Sequence, residues 1–326
     1  MTRPGVDAAT IVGVVVPYYQ REPGLLRRAV GSVLAQTGLN GVLIRVLVVD
    51  DASPLPSAGD LGNTALPEGM SVEVMTRSNG GPGAARNTGI DAAVARNCTH
   101  LAFLDSDDWW EPLHLSTALA GLARAPFFFG NSMHDDVPSF SYFAGMRDRS
   151  GEGVIPAGEA FDTILAECVP HTSQVIYALR DFADIRFDET MKRTGEDHLF
   201  WLTAASRGVA LAYSTAILGH RGRGVSVYRE ALAWDSPTFI PRLIDAFHLR
   251  TLIASRFDLS PAATRLNARE RREAAEEIAF ALARRIRSPG DLPAALGAIT
   301  REGGLWAAVI AALPRLPAIR RRMATA

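Results

Sequence analysis

Cysteine is nearly absent from this chain. Cys98 and Cys168 are the only two among 326 residues, and neither has a Cys or His neighbour at metal-ligand spacing, so a disulfide framework and a structural zinc site are both disfavoured. Lysine is scarcer still: Lys192 stands alone, which leaves one position for any mechanism built on a catalytic lysine. No run of about 18 apolar residues is present to span a bilayer, and the amino end lacks the basic, apolar, small-residue succession of a secretory leader. Internal repeats and low-complexity tracts are missing as well. Together these absences predict a cytoplasmic protein, soluble or peripheral at the inner face of the cytoplasmic membrane. A net charge of −1 argues against general nucleic-acid binding.

Apolar residues, 48% of the total, are numerous enough to bury a substantial core in one large domain or two smaller ones. Charge is uneven: from Asp258 onward 12 arginines face 7 acids, so the carboxyl end is basic and the remainder acidic. "IVGVVV", residues 11–16, is a β-branched run of the kind buried in a parallel sheet, ended by Pro17. "EPGLLRRAVGSVLAQT" places Leu25, Leu26, Val30, Val33 and Leu34 on roughly one helix face, and "IRVLVVDDAS" is a second buried strand. Strand, helix, strand at this spacing predicts a right-handed βαβ unit and a parallel sheet. After a Gly-, Pro- and Ser-rich loop over 54–69 come a strand "SVEVMTR", a Gly-rich helix entry "SNGGPGAARNTGIDAAVAR" and a strand "THLAFLDSDD". Beyond about residue 125, "FFFGNSM" and "SFSYFAG" read as an antiparallel extension. A helix resumes at "EDHLFWLTAASRG", and the part from about Ala231 reads as helices.

Ligands of open α/β sheets bind beyond the carboxyl ends of the strands, and Pro17, Asp50, Asp51, Asn79, Asp105 and Asp107 all fall there. The acids converge on one rim. In "LAFLDSDDWWEP", Asp105, Asp107 and Asp108 stand almost side by side; like charges this close ask for a metal ion, a helix to cap near Trp109, or solvent. An EF-hand is excluded, because Trp110 and Ser116 occupy the positions that need Gly and Glu. A phosphatase or phosphotransferase with an aspartate nucleophile fits "FLDSDD" but leaves "NGGPGAARN" without a role. A dinucleotide fold is disfavoured, since no G-x-G-x-x-G follows the first strand. In "NGGPGAARN", Gly80, Gly81 and Gly83 let backbone approach a ligand, and Arg86 is placed to meet a base or phosphates. A plain helix entry is the alternative.

Taken together, "VVVPYYQREPGLLRRAVGSVLAQ", "VVDDAS", "NGGPGAARNTG", "FLDSDD" and "TGEDHLFWLTAASRG" resemble family 2 glycosyltransferases with the GT-A fold, over roughly residues 11–230. The opening "PYYQRE" looks most like glucosyltransferases of succinoglycan-type exopolysaccharide assembly. The resemblance implies an α/β, GT-A catalytic domain over 1–230, with a Rossmann-like, mostly parallel central sheet flanked by helices, and a helical C-terminal extension over 231–326. It implies an inverting, metal-dependent enzyme that moves a hexose, glucose from UDP-glucose foremost, onto a saccharide acceptor such as a lipid-linked oligosaccharide. Another UDP-sugar (galactose or an N-acetylhexosamine), or a non-catalytic sugar-nucleotide-binding subunit, are the alternatives.

By that resemblance Asp107 coordinates Mn²⁺ or Mg²⁺, Asp105 contacts the ribose or supports that ligand, and His220 is a third metal ligand. Asp50 and Asp51 resemble the base readers, one of them accepting the uracil N3 hydrogen. Arg221 and Arg223 are implied phosphate contacts, and Pro17, Tyr19, Asn79, Gly80, Arg86 and Ser106 lie in the same donor-site motifs. Glu196 and Asp197 match the family's E-D motif, Asp197 as general base and Glu196 orienting the acceptor; an N-cap and a first-turn acid are the alternative. Trp109 and Trp110 are candidates for the sugar subsite or for the core. The tail "GGLWAAVIAALPRLPAIRRRM", residues 303–323, joins Trp306 and an apolar patch to Arg315, Arg320, Arg321 and Arg322. Two readings of it stand: a membrane-interfacial segment, or a helix packed on the catalytic domain or on the partner of a homodimer.

Overall fold

The computed structural model describes residues 9–62, 65–134, 137–141, 149–224, 231–233, 236–285 and 292–323. They group into two compact units, Met1–Glu189 with Phe200–Val225, and Thr190–Leu199 with Ser226–Ala326. The first unit runs β1 (Ile11–Tyr18), α1 (Leu25–Leu34), β2 (Leu43–Asp50), α2 (Ser57–Leu61), β3 (Met70–Thr76), α3 (Pro82–Ala95) and β4 (His100–Phe103). It continues with β5 (Trp109–Trp110), α4 (His114–Leu122), β6 (Phe127–His134), β7 (Val137–Ser141), β8 (Glu152–Ile155), α5 (Ala157–Glu167), β9 (Val175–Ala178) and α6 (Leu179–Phe182). Helix α7 (Glu196–Ala205) starts in the second unit and ends in the first, which closes with β10 (Leu211–Arg221).

Among the described residues ten strands form one sheet in the order β3-β2-β1-β4-β9-β6-β10-β5, with β7 beside β6 and β8 beside β10. β3, β2, β1 and β4 are parallel; β9 is antiparallel to β4 and β6. On one face α1 lays Leu26, Ala29, Val30 and Val33 against Val12, Val14, Val16, Val46 and Val48. Each of these valines and leucines, fully buried, contributes roughly 1.5–3 kcal/mol. Strand alternation turns Phe103, Phe127 and Tyr177 to the opposite face, where they meet Phe182, Phe187, Phe200 and Trp201 in an aromatic cluster of edge-to-face, tilted and stacked pairs.

The structure departs from the sequence reading in four places. Pro17 lies inside β1; pairing with β4 stops at Val15, so the missing N–H falls past that ladder. The 54–69 loop contains α2, too short to show a period, whose Asp60 carboxylate accepts the amides of Gly24 and Leu26 and so caps α1. The extension is mixed: β6 is antiparallel to β7 and β9 but parallel to β10, and the end of "SFSYFAG" lies outside the described residues. No helix begins at Trp109, which opens β5 instead.

The second unit holds α8 (Phe239–Arg256), α9 (Pro261–Arg285), α10 (Leu292–Arg301), α11 (Leu305–Ala312) and α12 (Leu316–Met323). Their apolar faces share a core of Phe239, Ile240, Leu243, Phe247, Ile278, Ile299, Leu305, Val309 and Ile319. Asn267 on α9 donates from Nδ2 to the Arg250 carbonyl of α8 at 2.8 Å, and Arg315 pairs with buried Glu276 at 2.8 Å. No helix among the described residues is long and apolar enough to cross a membrane.

Candidate functional site

The acidic turn follows β4 directly, where Leu104 still donates to Val15 of β1, and ends where Trp109 and Trp110 pair with His220 and Gly219 of β10. Three carboxylates are thus confined between two strands, and each has its own donor. Asp105 Oδ1 receives the guanidinium of Arg86 at 2.8 Å, an arginine only 5% exposed on α3. Asp107 Oδ2 accepts the Gly224 amide at 2.8 Å; Asp108 accepts the Gly222 amide at 2.9 Å and the Ser173 hydroxyl at 2.6 Å. Ser106 is buried and takes a hydrogen bond from Gln20 Nε2 at 3.0 Å. Burial, and then the charge of Asp105, raises the Asp107 pKa. Burial followed by the charges of Asp107 and Asp105 pushes Asp108 well above the carboxylate range. A cation bound here would favour the ionised forms that burial and mutual repulsion oppose.

Residues 222–224 cross this turn in close contact. A Cβ on Gly222 would sit 1.8 Å from the Asp107 carbonyl oxygen, and one on Gly224 would sit 2.5 Å from the Asp107 Cβ. Only glycine lets that backbone come near enough to donate to both carboxylates. From α1, Arg28 donates to the Asp107 carbonyl at 2.6 Å while its guanidinium lies 3.9 Å from the Trp109 ring centroid. His220 also stacks on Trp109, with centroids 4.9 Å apart and planes 5° from parallel, and its Nε2 pairs with Glu111 at 2.7 Å. His220 thus braces the strand after the turn, and a second imidazole, from another segment, also lies near the acids. Trp110 is core: 3% exposed, stacked on His114, and donating from Nε1 to the Ser173 carbonyl. Arg221 is half-buried and its charge acts on Asp107, while Arg223 is exposed.

At the next rim position the two adjacent acids divide their work. Asp50 turns into its own loop, accepting the amides of Ser53 and Ser57 at 2.8 and 3.2 Å. Asp51 points across to the turn before α3, accepting Gly80 and Gly81 amides at 3.0 and 2.7 Å, with Arg77 3.4 Å away. Asn79 Nδ2 donates to the Asp51 carbonyl at 3.0 Å. Pro17 and Tyr19 lie half-buried at the end of β1 and just past it, next to buried Tyr18, whose hydroxyl burial raises to about 12.

One grouping was not expected from the sequence. Ligand atoms of Asp105, Asp108 and His171 all lie within 4.8 Å of one another, with His171 Nε2 3.7 Å from Asp108 Oδ2. Two carboxylates and an imidazole held neutral by burial are a donor set that fits a divalent cation of the Mn²⁺ or Mg²⁺ kind. His171 and Ser173 come from the segment before β9, far away in sequence. A histidine ahead of a short apolar strand, as in "VPHTSQVIY", was the only signal, and it is a weak one. Glu196 and Asp197 lie in the second unit, on the first turn of α7, where Glu196 is buried and Asp197 half-buried.

The family model for glycosyl transferase family 2 matches residues 13–169. Succinoglycan biosynthesis protein ExoW of Rhizobium meliloti (strain 1021) is 34% identical over 289 residues, 84% of this chain and 88% of that protein. The Staphylococcus aureus TarS fragment 1–349 aligns with a TM-score of 0.58 at 17% identity, covering 97% of this chain and 91% of that one; the same fragment in complex with UDP-GlcNAc gives 0.54. Pyrobaculum calidifontis mannosyltransferase PcManGT, in complex with GDP-Man and Mn²⁺, aligns at 0.50 and 14% identity over 94% of this chain and 86% of that one. The mixed sheet with flanking helices is the GT-A fold, and the chain belongs to glycosyl transferase family 2.

Proposed function

We propose that this glycosyltransferase inverts configuration while moving a hexose, glucose from UDP-glucose in the first instance, onto a saccharide acceptor of exopolysaccharide assembly. The single observation that carries the reading is the rim itself: Asp51 with the Gly80–Gly81 turn, and the Asp105–Asp108 turn, stand past the carboxyl ends of β2 and β4, the two parallel strands that flank β1. Asp51 reads the uracil N3 hydrogen, because its carboxylate faces the turn where a base approaches, whereas Asp50 is taken up by its own loop. Arg221, the last residue of β10, and Arg223 just past it stand beside the acidic turn and supply positive charge for the diphosphate. The similarity to ExoW supports an exopolysaccharide setting, and the TarS complex with UDP-GlcNAc supports a UDP-sugar. N-acetylhexosamine and galactose are the competing sugars.

Asp105 and Asp107 would hold Mn²⁺ or Mg²⁺, whose charge offsets that of the departing diphosphate. A second ligand arrangement, Asp105 with Asp108 and His171, is favoured by the 4.8 Å grouping of their ligand atoms. Asp197, at the N-terminus of α7, takes the proton of the acceptor hydroxyl as that oxygen attacks the anomeric carbon and the bond to the diphosphate breaks. Glu196 orients the acceptor. Residues 1–230 form the catalytic part of this scheme and 231–326 a helical extension. A thermal-shift series with UDP-glucose, UDP-galactose and UDP-N-acetylhexosamines, with and without Mn²⁺, tests the donor. The true donor at 100 times its Kd adds about 2.7 kcal/mol of apparent stability, and only with the metal present; equal shifts for all sugars, or none, refute the assignment.

The extension presents a surface suited to the inner face of the cytoplasmic membrane, where a lipid-linked acceptor would lie. Trp306, Ile310 and Leu313, on α11 and the turn after it, are 36%, 59% and 46% exposed. Across residues 292–323 there are five arginines and one acid, Glu302, which pairs with His248 at 2.9 Å. An apolar strip with arginines at its ends suits anionic lipid. Flotation with anionic liposomes is expected for the wild type and lost in Ile310→Glu/Leu313→Glu. Unchanged flotation removes the membrane role, and a dimer that the double variant dissociates assigns the strip to self-association instead.

A further inference from the structure

Lys192, Arg193, Thr194 and Gly195 form the turn that enters α7 one step before Glu196 and Asp197, and this turn groups with the C-terminal helices. The reason lies on α8. The Asp245 carboxylate, 9% exposed, accepts two consecutive backbone amides through one oxygen, Oδ2: Lys192 at 3.2 Å and Arg193 at 2.9 Å. One helical turn further, Leu249 closes on Gly195. That glycine holds φ at +94°, and a Cβ there would lie 3.1 Å from Leu249 Cδ2 and 3.4 Å from the sulfur of buried Met191. Its carbonyl then accepts the Leu199 amide at 2.9 Å, the first helical bond of α7. A helix that starts from a turn held at Lys192, Arg193 and Gly195 has a fixed first-turn direction, and Asp197 is on that first turn.

Burial raises the pKa of Asp245, which the two amide donors and the Arg193 charge oppose. An apolar residue of similar size would avoid the cost of burying a carboxylate but would leave both amides without an acceptor. We propose that Asp245 is a positioning residue of the transfer reaction: by holding the Lys192–Arg193 backbone it sets the entry into α7 and so aims Asp197 at the acceptor hydroxyl. The inference rests on reading Asp197 as the base. It also gives the C-terminal helices a part in turnover that is separate from any contact with lipid or with a second chain.

Full-length Asp245→Ala, Asp245→Asn and Gly195→Ala variants test it, with far-UV circular dichroism confirming the fold and calorimetry reading UDP-sugar Kd. Asp245→Ala is expected to lower kcat by roughly tenfold or more, with Kd for the donor within about twofold of wild type. Asp245→Asn keeps an oxygen that accepts both amides and is expected to restore most of kcat. Gly195→Ala moves the same turn from the other side, so it supplies the answer if Asp245→Ala does not fold, with the same loss of kcat at unchanged donor Kd. Added to Asp197→Asn, the Asp245→Ala change is expected to have no further effect, since the group it aims is already gone. Wild-type kcat in Asp245→Ala and Gly195→Ala, or a parallel fall of kcat and donor affinity, overturns the proposal. If Asp197→Asn alone retains transfer, the base assignment fails instead, so the two failures are distinguishable.

Discussion

Asp197→Asn is expected to reduce sugar transfer by roughly 10²–10⁴-fold while UDP-sugar binding stays near wild type. An acceptor hydroxyl is too weak an acid to ionise on its own, and inversion requires it to attack from the face opposite the diphosphate. A carboxylate must therefore take the proton as the new bond forms. Asp197 meets this need on the first turn of α7, where the helix N-terminus favours the ionised form; its Oδ1 accepts the His198 amide at 2.7 Å. Asparagine keeps the shape and that hydrogen bond but accepts no proton. Steady-state transfer measured beside donor Kd separates lost chemistry from lost binding, and the same change at Glu196 tests the neighbouring carboxylate. Transfer retained in Asp197→Asn, or a product with retained anomeric configuration from the wild type, would refute both the base and the inverting mechanism.

The metal should show an effect of comparable size. Asp107→Asn is expected to abolish Mn²⁺-dependent UDP binding and to bring turnover down to the metal-free background. The fold should survive, because the amide oxygen still accepts Gly224, and the carbonyl of residue 107 still receives Arg28. His171→Gln is the companion variant. If it abolishes Mn²⁺ dependence and Asp107→Asn does not, the cation lies in the Asp105–Asp108–His171 arrangement. If neither alters Mn²⁺ dependence, the acidic turn is not the metal site. Isothermal titration of Mn²⁺ into each variant, with and without UDP, reads the outcome without relying on activity.

Several parts of this molecule were legible in its letters because they rest on local pattern. A β-branched run buried on both faces reads as a parallel strand wherever it occurs, so β1, β2 and the βαβ start followed from 11–50. Helical periods placed α1, α7 and the helices after 231, and the acids at strand ends marked the rim. The five motifs in order pointed to the family. Short or unpatterned pieces were not legible: α2 has five residues, β5 has two, and neither length can display a period.

What only the tertiary structure decided is which groups meet across long stretches of chain. Both Asp50 and Asp51 looked able to read a base; the folded chain sends one into its own loop and the other to Gly80 and Gly81, about thirty residues on. Trp109 was a candidate for the sugar subsite or for the core; in the folded chain Arg28 and His220 both lie against its ring. Ser173 and His171 carried no motif, yet they bond and face Asp108 across some sixty residues. Asp245 looked like one more polar residue on a helix until its carboxylate was seen beneath the turn that presents Asp197. Sequence alone determined the longer patterned strands and helices, the family and the chemistry on offer at the rim, because periodicity and motif spacing are local properties. Contacts between residues distant in the chain are set by how the whole sheet and its helices close, so the donors that orient each carboxylate could be assigned only from the folded structure.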